Sequence, residues 1–511
     1  VMEVTRDNFN EVLPLVVQSI NESNFIAIDG EFTGLRSTKR VNSFDHPSER
    51  YQKVREDCSE FLLIQMGLCC FRYDLCLSKF VHEAYDFYIF PNGDGSFLSQ
   101  ASSLGFLASN GFDFNKLFKS GIPYMNKIEE SERKEYIETW SQSGDTNYEG
   151  SDIGIPQQWK SYVSSICDKI DKFLLSDNDS LKLEKSNAFV RKLIYQTARK
   201  KYSNIFLELS GEKNDKVIVV HKGSEADRAL FRKKQCELKW KSLDEDVGFS
   251  KVISAITDSR KLVVGHNMLL DICHVMKCFH KPLPVEYKDF KEELQQLFSC
   301  VLDTKTMASL APFKDVINFT DLSKLHDQLN EQPFSIPDID IVPGKMGYQV
   351  GCESQFHKAS YDSFITGCCF LGMYSYLAKR KGIAGVDLEL IKPYINKIFM
   401  SQSIDMNLFN IGGEDVIPDR QHVFYMTFPA NWKPENIFRL FRPFGNVTIG
   451  WCSDTSALVA LHAKQEAGRV LRQIEKAATY EIISYKQYQE NTAKREDEFP
   501  QSKKRKARLS D

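Results

Sequence analysis

An apolar run near the start of the chain ends in two acids, and this feature constrains the fold more than any other. Residues 25–32 have the sequence Phe-Ile-Ala-Ile-Asp-Gly-Glu-Phe, which is typical of a buried strand. Side chains alternate along a strand, so Asp29 and Glu31 are predicted to point to the same face. Neighbouring carboxylates repel each other unless a cation lies between them. Magnesium and manganese prefer such hard oxygen ligands, and the strand therefore predicts a divalent metal site.

Two remote segments supply further acids and a histidine. A helix predicted over residues 268–279 carries Asp271 in its first turn. A second helix, predicted over residues 361–377, carries Asp362 near its start. His357 lies five residues before Asp362, so one straight helix would not stack the two side chains. We therefore expect His357 on the loop before the helix, where it can lean over the metals.

These residue types in this arrangement indicate a metal-dependent nuclease. Two metals roughly 4 Å apart clamp the attacking and leaving oxygens of a phosphodiester displacement. A neutral histidine beside the attacking water takes its proton, because the pKa of histidine lies near working pH. No covalent enzyme intermediate is needed for this transfer to water. His357 is the predicted general base.

Asp303, in the segment Leu-Asp-Thr-Lys, has two interpretations. It is either a spare metal ligand or the N-cap of the helix that starts at Thr304. An N-cap aspartate accepts hydrogen bonds from the first backbone N–H groups of a helix. The following Thr-Lys-Thr-Met-Ala favours the N-cap.

The order Asp-x-Glu, Asp and His-x4-Asp resembles the DEDDh 3′-to-5′ exonucleases of the ribonuclease H-like fold. Ile-Asp-Gly-Glu-Phe-Thr-Gly, Gly-His-Asn-Met-Leu-Leu-Asp and Tyr-Asp-Ser-Phe-Ile-Thr-Gly are also similar to the poly(A)-specific ribonuclease family, and the similarity extends over residues 2–485. In that family four acids bind two magnesium ions, for which manganese can substitute. The resemblance gives this role to Asp29, Glu31, Asp271 and Asp362. It gives the general base to His357 and a poly(A) contact to Lys305.

Composition bounds the class of protein. A chain of 511 residues is expected to hold roughly two to four domains. Its 66 basic and 69 acidic side chains leave a net charge of −3, so any positive potential must be local. This balance counts against a pure RNA-coating protein. The thirteen cysteines are scattered without the spacing of a disulfide framework, which predicts reduced thiols. No run of ~18 apolar residues occurs, so we expect no membrane-spanning segment.

The predicted fold class is α/β: a ribonuclease H-like mixed sheet with helices, a small inserted α/β module and a C-terminal RNA-recognition-motif-like α+β domain. The two halves of the nuclease domain are predicted at residues 1–154 and 238–410, and the insertion between them at residues 155–237. The third domain is predicted at residues 420–486, followed by a disordered basic tail at residues 487–511. The resemblance makes the insertion an Arg-x-x-x-His nucleic-acid module. Tyr195 stands in place of its histidine, so RNA binding and a helical brace on the nuclease remain equal alternatives.

The third domain has the strand-helix-strand-strand-helix order of an RNA-recognition motif, but its third strand lacks the usual stacking aromatics. Alternation places Trp451 on the same strand face as Val447 and Ile449. Trp451 is either a core residue or a platform for a flat cationic ring such as 7-methylguanine. In the poly(A)-specific ribonuclease family, to which the sequence is similar, the corresponding tryptophan stacks on the mRNA cap. We favour this role for Trp451.

The remaining expectations concern partners and location. The basic run at residues 503–508 predicts a nuclear import signal or a phosphate-binding tail, which places the protein in nucleus and cytoplasm. The resemblance also implies a homodimer. The leading hypothesis is a 3′-exoribonuclease that shortens poly(A) and releases 5′-monophosphates. The alternatives are a trimmer of small RNAs such as piRNA precursors, a catalytically silent cap or RNA-end binding protein, and a DNA proofreading exonuclease.

Overall fold

The computed structural model describes residues 1–35, 41–143, 153–211, 216–349, 355–383, 387–474 and 479–498. The chain divides into two compact units, one formed by residues 1–124 with 249–511 and the other by residues 125–248. In the part of the chain described, no helix is long and apolar enough to span a bilayer.

The first unit starts with a segment in which strands and helices alternate. Its elements are β1 (Met2–Val4), α1 (Phe9–Glu22), β2 (Phe25–Phe32), α2 (Pro47–Glu60), β3 (Leu63–Asp74), β4 (Lys79–Tyr88), α3 (Ala101–Ser109) and α4 (Phe114–Ser120). The predicted strand with Asp29 is confirmed with its bounds. Sequence reasoning missed α2, whose residues are mostly polar, although Tyr51 and Cys58 on its inner face are fully buried.

The second unit is a small mixed module with two flanking helices. Its elements are α5 (Lys127–Ser143), α6 (Gln157–Leu174), β5 (Ser180–Lys182), α7 (Ala188–Lys201), β6 (Ile205–Ser210), β7 (Val217–Lys222) and α8 (Glu225–Val247). The strands form an antiparallel sheet in the order β5-β7-β6. Ile137 of α5 packs with Leu243 and Val247 of α8, so both helices belong to this unit. It therefore begins and ends outside the predicted boundaries of residues 155–237.

The chain then returns to the first unit. The elements are α9 (Ser250–Ser259), β8 (Leu262–Gly265), α10 (Leu269–Val275), α11 (Tyr287–Leu297), β9 (Val301–Asp303), α12 (Thr304–Ala308), α13 (Leu322–Leu329), β10 (Ile339–Ile341), α14 (Ala359–Lys381), β11 (Lys397–Phe399) and β12 (Leu408–Asn410). A π-helical turn, Met276–His280, continues α10. The predicted helices with Asp271 and Asp362 in their first turns are both present.

The main sheet has the order β1-β4-β3-β2-β8-β9, and β10 also pairs with β4. At its centre β2 is antiparallel to β3 and parallel to β8. Ile26 and Ile28 enter the core below α1 and α9, whereas Phe25 and Ala27 enter the core under α14. Alternation thus directs Asp29, the next odd-numbered residue, to the side of α14.

The C-terminal part of the first unit forms a separate four-stranded sheet. Its elements are β13 (Val423–Thr427), α15 (Pro434–Phe441), β14 (Val447–Ser453), β15 (Ser456–Leu461), α16 (Ala467–Gln473), β16 (Glu481–Ser484) and α17 (Tyr485–Glu498), and its strand order is β14-β15-β13-β16. The helix α17 corrects the prediction of disorder for residues 487–498. Its Tyr485 packs with Val423 and Phe44, so the start of the helix is anchored by contacts that are remote in sequence. The basic run at 503–508 lies outside the described residues.

Candidate active site

Three carboxylates converge where β2 meets the first turn of α14. One carboxylate oxygen each from Asp29, Glu31 and Asp362 lie within 4.8 Å of one another. The close approach of helix and sheet makes this convergence geometrically feasible. A Cβ added to Gly67 of β3 would lie 2.0 Å from the carbonyl oxygen of Ala359, so only glycine admits α14 at this distance.

Asp271 adjoins this cluster from the other side of β2. Its side chain is 6% exposed, and its Oδ1 has no hydrogen-bond partner among the described residues. The same oxygen lies 2.9 Å from where a Cβ of Gly30 would stand, so the absent side chain leaves room for the carboxylate. Asp271 is not within the 4.8 Å cluster, but its charge raises the pKa of both Asp29 and Glu31.

The electrostatics of the four acids indicate a site built for cations. Burial, followed by the neighbouring acids, raises the pKa of Asp29 and of Glu31 well above the usual range. Burial also raises the pKa of Asp271 and of Asp362 to about 7. The Oδ1 of Asp362, like that of Asp271, is buried without a hydrogen-bond partner. These buried carboxylates repel one another, and two of them have an oxygen without a hydrogen-bond partner. Such a group fits hard divalent ions such as magnesium or manganese.

His357 lies on the loop before α14, as predicted. Its φ of +73° is in the left-handed region, which is uncommon for a residue other than glycine. The backbone N–H of His357 donates a hydrogen bond of 3.0 Å to Oδ2 of Asp362. Its exposed ring makes an edge contact with Phe106 of α3, with ring centroids 4.6 Å apart. The unusual backbone is thus coupled directly to one of the clustered acids, and the imidazole is left at the solvent side.

Asp303 is the N-cap of α12, as preferred from the sequence, and it does more than cap. It is fully buried, and its two oxygens accept hydrogen bonds from five backbone N–H groups. Two of these donors, Asn267 and Met268, form the turn that leads into α10 and Asp271. A third, Phe399, comes from β11. Asp303 therefore holds the turn that positions Asp271, and its oxygens are already engaged.

The predicted substrate contacts occupy different surroundings. Lys305 is half-buried in the first turn of α12, with its Nζ 5.2 Å from the centroid of the Phe399 ring. Trp451 is half-buried on the helix-facing side of the C-terminal sheet, together with Val447 and Ile449, and its ring meets Phe428 edge to face at 5.7 Å.

The opposite face of that sheet is covered within the chain. Phe44 and Tyr485 pack there against Val423, and the ring of Tyr488 stacks on Tyr425 at 4.5 Å. The face on which RNA-recognition motifs normally stack bases is therefore occupied at these positions. This agrees with the weak base stacking predicted from the third strand, for a reason that the sequence does not show.

The described residues 333–349, in the loop that leads toward His357, are anchored by contacts to β4 and α14. The ring of His82 in β4 hydrogen-bonds the carbonyl oxygen of Asp340 at 3.0 Å and accepts the N–H of Tyr348 at 2.9 Å. The Tyr348 hydroxyl is 2.8 Å from the Ser360 hydroxyl in the first turn of α14. Up to residue 349 the segment is a fixed brace between β4 and the helix with Asp362.

Two residues near the site were missed. Phe106 contacts His357, but nothing in the sequence of α3 distinguishes it from other apolar residues. Asp86 in β4 is 1% exposed, and its charge raises the pKa of Glu31. An acid inside the apolar run Ala-Tyr-Asp-Phe-Tyr was a usable signal, because acids are seldom fully buried without a role.

The fold and the acid cluster define a nuclease site of the ribonuclease H-like type. The family model described as CAF1 family ribonuclease matches residues 4–370, and the one described as RNA binding domain matches residues 413–491. The chain is 41% identical to the poly(A)-specific ribonuclease PARN of Danio rerio, over 96% of this chain and 78% of that protein. It is 40% identical to the human protein of the same name, over 95% of this chain and 80% of that protein.

A more distant relative is the pre-piRNA 3′-exonuclease trimmer of Bombyx mori. It is 26% identical over 97% of this chain and 95% of that protein. The identity to the two PARN proteins is higher. The chain belongs to the CAF1 family ribonucleases and, among them, to the poly(A)-specific ribonucleases.

Proposed function

We propose that the chain is a magnesium-dependent 3′-to-5′ exoribonuclease that degrades poly(A) tails and releases 5′-AMP. The family membership supports the activity and the poly(A) substrate. The observation that supports the chemistry is the convergence of Asp29, Glu31 and Asp362 within 4.8 Å. Trimming of small RNAs, the activity named for the Bombyx mori relative, has weaker support because the identity to that protein is lower.

In this proposal Asp29, Glu31, Asp271 and Asp362 hold two magnesium ions, with manganese as a substitute. Such ions supply activation of water and stabilisation of the leaving oxygen. The orphaned oxygens of Asp271 and Asp362 fit this role, since each has room for a further partner. Asp303 is excluded as a ligand because backbone N–H groups already engage both of its oxygens.

His357 acts as the general base and Lys305 as a contact to the RNA. The exposed imidazole of His357 accepts the proton of the attacking water on a ring nitrogen. The hydrogen bond from its backbone N–H to Asp362 ties the base to the acid cluster. Lys305 offers a cation for the phosphates near the start of α12.

Two further parts of the proposal concern partners. Trp451 stacks on the mRNA cap through a cation–π contact, and its half-exposed ring supports this role. The protein acts as a homodimer, as the family resemblance implies.

The test compares Asp29→Ala with His357→Ala on a labelled A-tailed RNA in magnesium. Asp29→Ala should lower the rate by several orders of magnitude, and His357→Ala by ~10²–10⁴-fold with metal binding retained. Tight binding of full-length RNA by the unmodified protein without shortening would instead support a silent binding protein. Efficient digestion of a 2′-deoxy 3′ end would support a DNA exonuclease.

A further inference from the structure

The segment between β2 and α2 contacts the strand that carries Trp451. Asn42 lies in this segment, 408 residues before Gly450 in the sequence, and it is 6% exposed. Its Nδ2 donates hydrogen bonds to the carbonyl oxygens of Gly450 at 3.1 Å and of Trp451 at 3.0 Å. One side chain of the nuclease part therefore holds two consecutive peptide groups of β14.

The neighbours of the Asn42 amide fix its orientation. On one side Nδ2 faces the two carbonyl oxygens of β14 and also lies 3.2 Å from Sγ of Cys452. On the other side Oδ1 accepts a hydrogen bond of 2.9 Å from the backbone N–H of Phe44. An asparagine amide donates only from its nitrogen and accepts only at its oxygen, so a flipped amide would lose these contacts.

A buried ion pair holds Asn42 in place. The backbone N–H of Asn42 donates to Oδ2 of Asp45 at 3.1 Å, and Nη2 of Arg50 donates to the carbonyl oxygen of Asn42 at 2.9 Å. Nε of Arg50 lies 3.0 Å from the same Asp45 oxygen, and the two side chains are 3% and 5% exposed. Arg50 belongs to α2, which enters the core of the main sheet through Tyr51 and Cys58. The position of Asn42 is therefore determined by the nuclease core.

Strand β14 lies at the edge of the C-terminal sheet, where a strand has a ladder on one side. Its register with β15 shifts between Trp451 and Ser453, which marks a bulge beside the tryptophan. A bulge leaves backbone groups outside the ladder and changes the direction of neighbouring side chains. The Asn42 amide binds the carbonyl groups next to this bulge, and it thereby fixes the direction in which the Trp451 side chain leaves the backbone.

The contact requires a residue without a side chain at position 450. A Cβ on Gly450 would lie 2.7 Å from Oδ1 of Asn42 and 2.8 Å from Cδ2 of Phe44. Phe44 is 1% exposed and packs with Val423, so its ring is held in place. Glycine thus lets β14 approach the segment closely, while the next side chain, Trp451, points to the opposite face of the sheet.

We propose that Asn42 is a positioning residue for Trp451, and that it fixes the indole ring as a platform for the 7-methylguanine cap of RNA. This inference rests on the cap role proposed above for Trp451. Asn42 does not contact the cap and acts through the peptide groups on both sides of the tryptophan. A platform that is fixed before binding loses less conformational freedom when a ligand stacks on it. A segment of the nuclease part thereby sets how strongly the C-terminal sheet selects the methylated, cationic base.

The test uses Asn42→Asp in the full chain, because this change keeps the shape of the side chain. The carboxylate still accepts the N–H of Phe44 but cannot donate to the two carbonyl oxygens. The protein is titrated with 7-methyl-GTP and with GTP, and intrinsic fluorescence reports binding. The dissociation constant for 7-methyl-GTP should rise about 5- to 30-fold, the effect expected for the loss of two neutral hydrogen bonds. Binding of GTP, which has no cationic ring, should change less, so the selectivity for the methylated base should fall.

Two further variants separate the contact from the added charge. Asn446→Asp introduces the same charge at an exposed position of the same domain and should leave the selectivity unchanged. Gly450→Ala disturbs the contact from the side of β14 without adding charge, and it should lower the selectivity as Asn42→Asp does. Thermal melts verify that each variant is folded.

Fluorine NMR reports on Trp451 without any ligand. The chain contains five tryptophans, so labelling with fluorotryptophan gives few resonances, and Trp451→Phe assigns the relevant one. Asn42→Asp and Gly450→Ala should shift or broaden this resonance, because both release the peptide groups beside Trp451. Asn446→Asp should leave it in place.

The inference is overturned if Asn42→Asp and Gly450→Ala leave the Trp451 resonance and the selectivity for 7-methyl-GTP unchanged. It is also overturned if only one of these two readouts changes, or if Asn446→Asp lowers the selectivity equally. A parent protein that binds 7-methyl-GTP and GTP equally would refute the cap role of Trp451, and this inference with it. The parent protein therefore tests the proposed cap role, and the variants test the role of Asn42.

Discussion

The proposed catalytic geometry requires a glycine at position 67, because any side chain there would overlap the start of α14. In the substitution Gly67→Ala the new Cβ would lie 2.0 Å from the carbonyl oxygen of Ala359 and 2.4 Å from the N atom of Ser360. Real Cβ contacts essentially never fall below 3.0 Å, so the start of α14 must retreat by at least about 1 Å. The atoms in the way are backbone atoms, and no rotamer change relieves the overlap.

Asp362 lies three residues beyond Ala359 and moves with the helix. A displacement of about 1 Å in a catalytic constellation costs on the order of 10²-fold in rate, or about 2.7 kcal/mol of barrier. We therefore expect Gly67→Ala to lower kcat about 10²-fold on labelled oligo(A). The magnesium concentration for half-maximal activity should rise as well, because one ligand is displaced from the other acids. The overpacking should also lower the free energy of unfolding by about 1–3 kcal/mol.

The matched control is Gly372→Ala in α14, about three and a half turns after Ala359. There the added Cβ meets only side-chain atoms, the nearest being Cγ1 of Ile336 at 3.0 Å, and these can adjust. The control should retain activity within a few-fold. Unchanged kcat and magnesium dependence in a folded Gly67→Ala protein would refute the reasoning that α14 must approach β3 this closely to place Asp362.

Three further predictions concern stability and the cap. Burial lowers the pKa of His82 from 6.5 to about 4. The contribution of the neutral His82 ring to the free energy of unfolding is therefore complete above pH 6.5 and is lost as pH falls toward 4. The loss approaches about 3 kcal/mol, and urea titrations at several pH values should show it in the parent protein but not in His82→Gln. Asp303→Asn places an amide against the N–H groups of Met268 and Phe399, and should cost about 1–3 kcal/mol in unfolding free energy while lowering activity through Asp271. Trp451→Ala should weaken cap binding and spare uncapped RNA, whereas equal loss on both substrates would make Trp451 a core residue.

Local sequence patterns were sufficient for the catalytic elements. An apolar strand ending in Asp-x-Glu predicted β2 and the shared face of Asp29 and Glu31, because strand alternation is a property of the backbone itself. Helical periodicity likewise predicted that Asp271 and Asp362 begin helices. The N-cap at Asp303 was also predictable, because it depends on residues within one turn.

Tertiary structure decided what depends on contacts between remote segments. The second unit extends beyond its predicted boundaries because Ile137 packs on Leu243, and no local pattern records that pairing. The sheet face of the C-terminal domain is covered because Phe44, nearly four hundred residues earlier, reaches it together with Tyr485. Such contacts depend on chain topology, which periodicity and composition do not encode. The sequence alone thus determined which groups carry the chemistry, and only the packing of distant elements determined which of them meet.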